Sequence, residues 1–195
     1  MAFLRSPPTP ENGPQIEWDD LLLRMPRLGD YHAWAELRAR SRAHLEPWEP
    51  AWTPDELSRG AYRMRLKHYM REMRENSGYA FFMFKADDNT LIGGATLSNI
   101  RRGVSQSCSL GYWVGAPYAG QGYMTKGVRA IAAFVFDTLH LHRLEAACLP
   151  TNVASIRVLE KVGFTREGLA REYLKINGRW QDHFLYALLK DDPRR

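Results

Sequence analysis

The chain has 195 residues, 45% hydrophobic and 25% charged, with a net charge of +5 and a pI near 9.3. This length suits one domain with a full core and is too short for two. No apolar run approaches the roughly 20 residues of a membrane helix. The opening MAFLRSPPTPENGPQ carries no apolar stretch of the kind a secretory signal needs. The two cysteines, Cys108 and Cys148, are too few for a disulfide framework or a structural zinc site. The expectations are therefore reduced thiols, a cytoplasmic location, no membrane partner and no metal. The positive charge suits a polyanionic partner, either a phosphate-bearing cofactor or an RNA-rich assembly, and equally suits a well-solvated surface.

Residues 1–16 are rich in Pro, Asn and Gly and read as a flexible segment before a single domain over 17–192. Trp18 to Met25 reads as a first strand. Asp30 is placed to N-cap a helix through Arg42. After the Pro-broken, aromatic HLEPWEPAW, Thr53, Pro54 and Glu56 carry a capping-box signature for a helix to Asn76. A meander follows, with strands Tyr79–Ala86, Thr90–Arg101 and Gln106–Gly115. The loop PYAGQGY leads into an apolar helix from Met124 to Leu139, in which Val128, Ile131, Ala132, Val135 and Leu139 recur at helical spacing. Arg143–Leu149 is a strand, and Asn152–Val162 is a helix stopped by Gly163. Strands Phe164–Ile176 and Trp180–Leu189 are joined by the hairpin signal Asn177-Gly178. The order βααβββαβαββ predicts an α/β protein with a mixed sheet.

The stretch SLGYWVGAPYAGQGYMTKGVRA places Gly120 and Gly122 just before a helix. A helix start offers unpaired N–H groups and partial positive charge, and glycine lets backbone approach an anion closely. Lys126 and Arg129 in the next turns could add charge. The string lacks the third glycine of a Rossmann fingerprint and is not a Walker loop.

Around Gly122 the sequence resembles the GCN5-related N-acetyltransferase superfamily, whose pyrophosphate loop is [QR]-x-x-G-x-[GA]. Here Ala119-Gly120-Gln121-Gly122-Tyr123-Met124 keeps the central glycine and departs at the first and last slots. Together with Thr125 it resembles the ribosomal-protein-alanine N-acetyltransferase subgroup. NVASIRVLEKVGF is similar to that subgroup's N-x-x-S-x-x-[VL]-L-E-K-x-G-F, and LGYWV and EYLKINGRWQDHFLYAL look like it too. The resemblance covers about residues 18–190. It implies a mixed sheet of six or seven strands, flanked by about four helices, with two parallel strands splaying near Val114 and Leu149. It also implies acetyl-CoA as cosubstrate. Pantetheine would dock along Tyr112, Trp113 and Val114, the loop Ala119–Thr125 would bind the cofactor with its pyrophosphate on the N–H groups of Gly120 to Met124, and Asn152 would hydrogen-bond the pantetheine arm.

Acetyl transfer from a thioester to an amine needs a neutral amine, a stabilised carbonyl oxygen and a protonated leaving thiolate. By resemblance, Ser155 occupies the general-acid position. The Tyr that many members carry four residues later is Leu159 here. Glu145 and Glu172 are the candidate bases. An α-amino group, with a pKa near 8, is about one-tenth neutral at pH 7, whereas a lysine amine is about 0.04% neutral, so a weak base suffices for a protein N-terminus. The remaining candidates divide between structural and functional readings. His140 and His142 are too few for a metal site. Trp34, Trp48, Trp52 and Tyr62 pack a core or line an acceptor groove. Asp182 makes a ladder bond or meets the acceptor amine, and LKHYMREMRE is a solvated basic face or an RNA contact. The expected function is acetylation of a protein N-terminus, a ribosomal protein among them. The alternatives are acetylation of a small amine and a non-catalytic acyl-CoA- or ribosome-binding role. A monomer and a homodimer are both compatible with the sequence.

Overall fold

The computed structural model describes residues 13–193, so most of the expected flexible segment lies outside the described residues. The boundary expected at 16 falls inside a strand. Where one strand was expected over 18–25, two form a hairpin, β1 (Gln15–Trp18) and β2 (Leu21–Arg24). The chain reverses at Asp19 and Asp20, Asp19 taking a φ of +50°. Aspartate tolerates this left-handed conformation, but no glycine or proline marks it in the sequence.

Helix α1 (Tyr31–Arg40) starts where expected, but Asp30 does not cap it with its side chain. The carboxylate instead accepts from the Arg24 guanidinium at 2.7 and 2.8 Å and from the Arg27 backbone N–H at 2.7 Å. After the single turn α2 (Arg42–Leu45), helix α3 runs from Arg59 to Arg74, starting five residues later than expected. Its N-cap is Ser58, whose Oγ accepts from the Ala61 N–H at 3.1 Å. The expected capping pair is engaged elsewhere, Thr53 Oγ1 donating to Asp55 and Glu56 pairing with Arg65.

The strands β3 (Tyr79–Lys85), β4 (Leu91–Arg101) and β5 (Ser107–Val114) form the expected meander. Helix α4 covers Tyr123–Ala133 and ends in a π-helical turn over Phe134–Thr138. Strand β6 (Arg143–Cys148), helix α5 (Val153–Val162) and strands β7 (Thr165–Ile176) and β8 (Arg179–Leu189) complete the chain.

Among the described residues eight strands form one sheet in the order β1-β2-β3-β4-β5-β6-β8-β7. The split first strand supplies the one beyond the six or seven expected. Every pairing is antiparallel except β5–β6. The main core lies on the face covered by α4 and α5 and includes Met83, Leu97, Leu110, Val128, Ile131, Leu144 and Leu159. A smaller core on the other face gathers Trp34, Leu37, Tyr62, Leu66 and Phe82 beneath α1 and α3. Trp34 and Tyr62 are thus packing residues, their rings 4.9 Å apart.

Candidate active site

The parallel pair β5–β6 holds register only from Ser107↔Arg143 to Leu110↔Ala146. Beyond that point β5 stays paired to β4 through Val114, and β6 stays paired to β8 through Cys148. The two inner edges therefore part, and the stretch Gly111–Val114 faces the gap without a strand partner. Backbone groups on such an edge must find another partner, and an extended amide-bearing ligand can supply it.

The loop beyond β5 is anchored by Ser41, a fully buried residue whose Oγ accepts from the Ala116 N–H at 2.9 Å. Gly120 and Gly122 have φ of +76° and +85°, and nothing lies within 4 Å of where a side chain would project from either. Gly122 is the N-cap of α4 and the first turn holds no acidic residue, so no carboxylate of that turn offsets the positive end of the helix. Lys126 and Arg129 are turned away from this cradle. Lys126 pairs with Asp20 at 2.7 Å, and Arg129 reaches the Lys161 carbonyl. The cations beside the gap are Arg157 and Lys161 of α5.

Asn152 caps α5, its Oδ1 accepting from the Ser155 N–H at 3.1 Å. The cap occupies that oxygen and leaves the side-chain NH2 for a ligand. One turn on, the Ser155 and Tyr112 hydroxyls are hydrogen-bonded at 2.8 Å, and either can donate. Burial pushes the Tyr112 phenol well above its ordinary range, so it stays protonated. Cys148 also faces the gap. Burial raises its thiol pKa, only partly offset by the Ser155 hydroxyl, which keeps it a poor nucleophile.

These groups line one cavity of about 460 Å³ that takes residues from both faces of the sheet. On the α5 face it meets Tyr112, Met124, Asn152 and Ser155. On the other it meets His44, Trp48, Glu49, Leu174, Ile176 and His183. Glu49 is held by Arg38, which is 6% exposed, and by the Trp52 indole N–H at 2.8 Å. The Arg38 guanidinium lies 4.5 Å from the Trp52 ring and 5.1 Å from Trp113. Of the aromatic candidates, Trp48 is therefore the one that lines the cavity.

The structure brings together Tyr112, Trp113, Val114, Ala119, Gly120, Gly122, Met124, Thr125, Asn152 and Ser155 around this cavity. Gln121 and Tyr123 do not line it. Gln121, in the loop, bonds the Pro117 carbonyl, and the ring of Tyr123, the first residue of α4, packs against the main core about 6 Å from the Lys85 and Lys126 amines. Neither candidate base lines the cavity. Glu145 sits within the intact part of the parallel ladder and pairs with Arg143 at 2.8 Å. Glu172 lies at an irregularity of β7 with a φ of +45°, its N–H donating to Asp182 Oδ1 at 2.8 Å. Asp182 is thereby spent on a ladder bond. Among the described residues no group of three or more potential ligands is placed to hold a metal. Sequence reading passed over Glu49, Arg157 and His183, which no short motif marks.

A parallel strand pair that parts beside a glycine-shaped helix start is the architecture of acetyl-CoA-dependent acetyltransferases, and the chain is an acetyl-transferring enzyme of that class. It belongs to the acetyltransferase (GNAT) domain family, which matches residues 20–165. It is 38% identical to a probable N-acetyltransferase, YjcK, of Bacillus subtilis, over 82% of this chain and 88% of that protein. It is 35% identical to the [ribosomal protein uS5]-alanine N-acetyltransferase of Escherichia coli, over 91% of this chain and 92% of the relative. The crystal structure of a ribosomal-protein-S5-alanine acetyltransferase from Vibrio fischeri superposes with a TM-score of 0.84 at 31% identity, covering 93% of this chain and 99% of that one. Mycobacterium smegmatis RimJ in complex with CoA-disulfide gives 0.82 at 31% identity, covering 91% and 86%. The acetyl donor of this family is acetyl-CoA, and the open glycine cradle and unpaired β5 edge fit its diphosphate and its amide-bearing arm.

Proposed function

We propose that the enzyme acetylates the N-terminal α-amino group of a protein, with ribosomal proteins as the acceptor class. The observation that carries this reading is the apolar rim at the acceptor end of the cavity. Tyr173 and Leu174 of β7 are large apolar residues, 48% and 42% exposed; Leu174 lines the cavity, and the Tyr173 ring packs against His183 beside it. An exposed apolar rim at that end is suited to a polypeptide, because a small amine would leave it wet. The identity to a relative named for modifying a ribosomal protein supports the same acceptor class.

In this reading the thioester brings an activated acetyl group and a thiol of modest basicity. The N–H groups at the start of α4, with Arg157 and Lys161 alongside, hold the diphosphate. The unpaired edge from Gly111 to Val114 aligns the pantetheine arm, assisted by the Asn152 amide NH2. Ser155, steadied by Tyr112, donates toward the departing sulfur. The apolar walls at Trp48, Leu174 and Ile176 exclude water and favour the neutral amine.

The test is a panel of N-terminal peptides assayed beside polyamines, amino acids and amine antibiotics with acetyl-CoA. The expected result is that peptides have the higher kcat/KM and that mass spectrometry places the acetyl group on the α-nitrogen. Turnover confined to small amines would reject the assignment.

A further inference from the structure

We propose that His183 is the general base of the reaction, its Nε2 taking the proton from the acceptor amine. The inference rests on the acetyl transfer described above and deepens it.

The placement follows from strand geometry. Side chains alternate between the faces of a strand. Phe184 is paired with Cys148 and packs toward the α4–α5 core, so His183, the next residue along, projects from the opposite face. There it lines the acceptor end of the cavity with Trp48, Leu174 and Ile176. The residue is 2% exposed, so what little of it is open belongs to this chamber.

The ring is also oriented. His183 Nδ1 lies 2.9 Å from the Gln181 carbonyl. A carbonyl only accepts, so the proton of the neutral ring sits on Nδ1 and the Nε2 lone pair is left for a donor. Tyr173 packs edge-on against the ring at 5.9 Å. Nε2 has no hydrogen-bond partner among the described residues, yet it is not one of the unpaired polar atoms sealed from solvent, which are Arg38 Nε and Arg65 Nε. An oriented imidazole with one nitrogen engaged and the other open to a substrate cavity is the arrangement a general base requires.

No carboxylate competes for this role. Glu145 and Glu172 lie outside the cavity, and Glu49 is engaged by Arg38 and Trp52. The other ionisable groups toward His183 are His44 and Glu49 from the α2 side and Tyr173 from β7; Cys148 of β6 lies on the opposite face with Phe184. In the step, the amine lone pair forms the C–N bond to the thioester carbon and the C–S bond breaks with its electron pair on sulfur. The ammonium proton passes to Nε2. Sulfur is protonated from the Ser155 hydroxyl on the opposite face, and the imidazolium later gives its proton to water and the serine regains one.

The test uses His183→Gln and His183→Asn in the full chain, with His68→Gln, on the exposed side of α3 away from the cavity, as control. The expected result is a fall in kcat of about 100-fold or more, with acetyl-CoA Kd within twofold of wild type. Log kcat/KM should rise with pH with slope two on the acid side in wild type, amine and imidazole each losing a proton, and with slope one in the His183 variants. Added imidazole should restore part of the activity of His183→Ala. The inference is overturned if His183→Gln keeps kcat within threefold, if its acid limb keeps slope two, or if the wild-type limb itself has slope one. The last readout stands even if every variant fails to fold. A wild-type enzyme that ignores peptides but acetylates another amine removes the proposed acceptor only, and the same series then runs on that amine.

Discussion

The hydroxyls of Tyr112 and Ser155 lie 2.8 Å apart across the gap between β5 and α5. The contact joins a strand edge that would align a thioester to the helix start whose Asn152 cap fixes the backbone of Ser155. Ser155→Ala should therefore lower kcat by about 100-fold while leaving acetyl-CoA affinity within twofold, by steady-state kinetics and calorimetry. Undiminished turnover would remove Ser155 from the mechanism.

Gly122 has a φ of +85° and open space where a side chain would stand. Gly122→Val introduces a β-branched residue into a left-handed conformation and puts its methyls where an anion must approach. The acetyl-CoA Kd should rise by at least about tenfold, equivalent to 1.4 kcal/mol. A thermal shift with saturating acetyl-CoA as large as that of wild type would refute the cradle.

The Arg38–Glu49 pair is shielded, with side-chain exposures of 7% and 22%. Removing one partner of such a pair leaves a charge without compensation, whereas removing both does not. Arg38→Met should cost about 3 kcal/mol, and Arg38→Met/Glu49→Gln less than that, as read by urea denaturation. Additive costs in the double-mutant cycle would show that the two side chains act independently.

Arg143 grips Glu167 and holds its carboxyl below the ordinary range, with burial opposing weakly. A depressed folded-state pKa adds stability that is complete above the unfolded value, about 4.3, and is lost as pH falls through the folded value. Glu167 is exposed, so the contribution is under about 1 kcal/mol. Glu167→Gln should lower the melting temperature by about 2 °C at pH 7 and by less near pH 3. An equal difference at both pH values would show that the pair is not responsible.

The hairpin at Asn177-Gly178, the Gly163 stop of α5 and the glycines before α4 are legible in the sequence because each depends on local chemistry, a turn type or a positive φ. The late start of α3 is not, because Thr53 and Glu56 carry the right residues at the right spacing and are captured by Asp55 and Arg65. The split of the first strand hides in Asp19, where no glycine announces the turn. The proposed phosphate cradle lies in one contiguous loop, so its glycines can be picked out from sequence. Of the proposed acceptor end only Trp48 is a candidate from sequence, since Glu49 and His183 join it only after β8 is laid beside β6 and the α2 segment is tied to the hairpin by the Asn177 N–H to the Glu49 carbonyl at 2.9 Å. Lys126 looked like a phosphate ligand until Asp20, more than a hundred residues away, claimed it.

A cavity lined from both faces of the sheet bears on the kinetic order of events. Donor and acceptor need not take turns, because the ends proposed for them are lined by different faces, and the protonated Cys148 offers no covalent waiting station for the acetyl group. Double-reciprocal plots at several fixed donor concentrations should cross rather than run parallel, and product inhibition should reveal a complex in which both reactants are held at once.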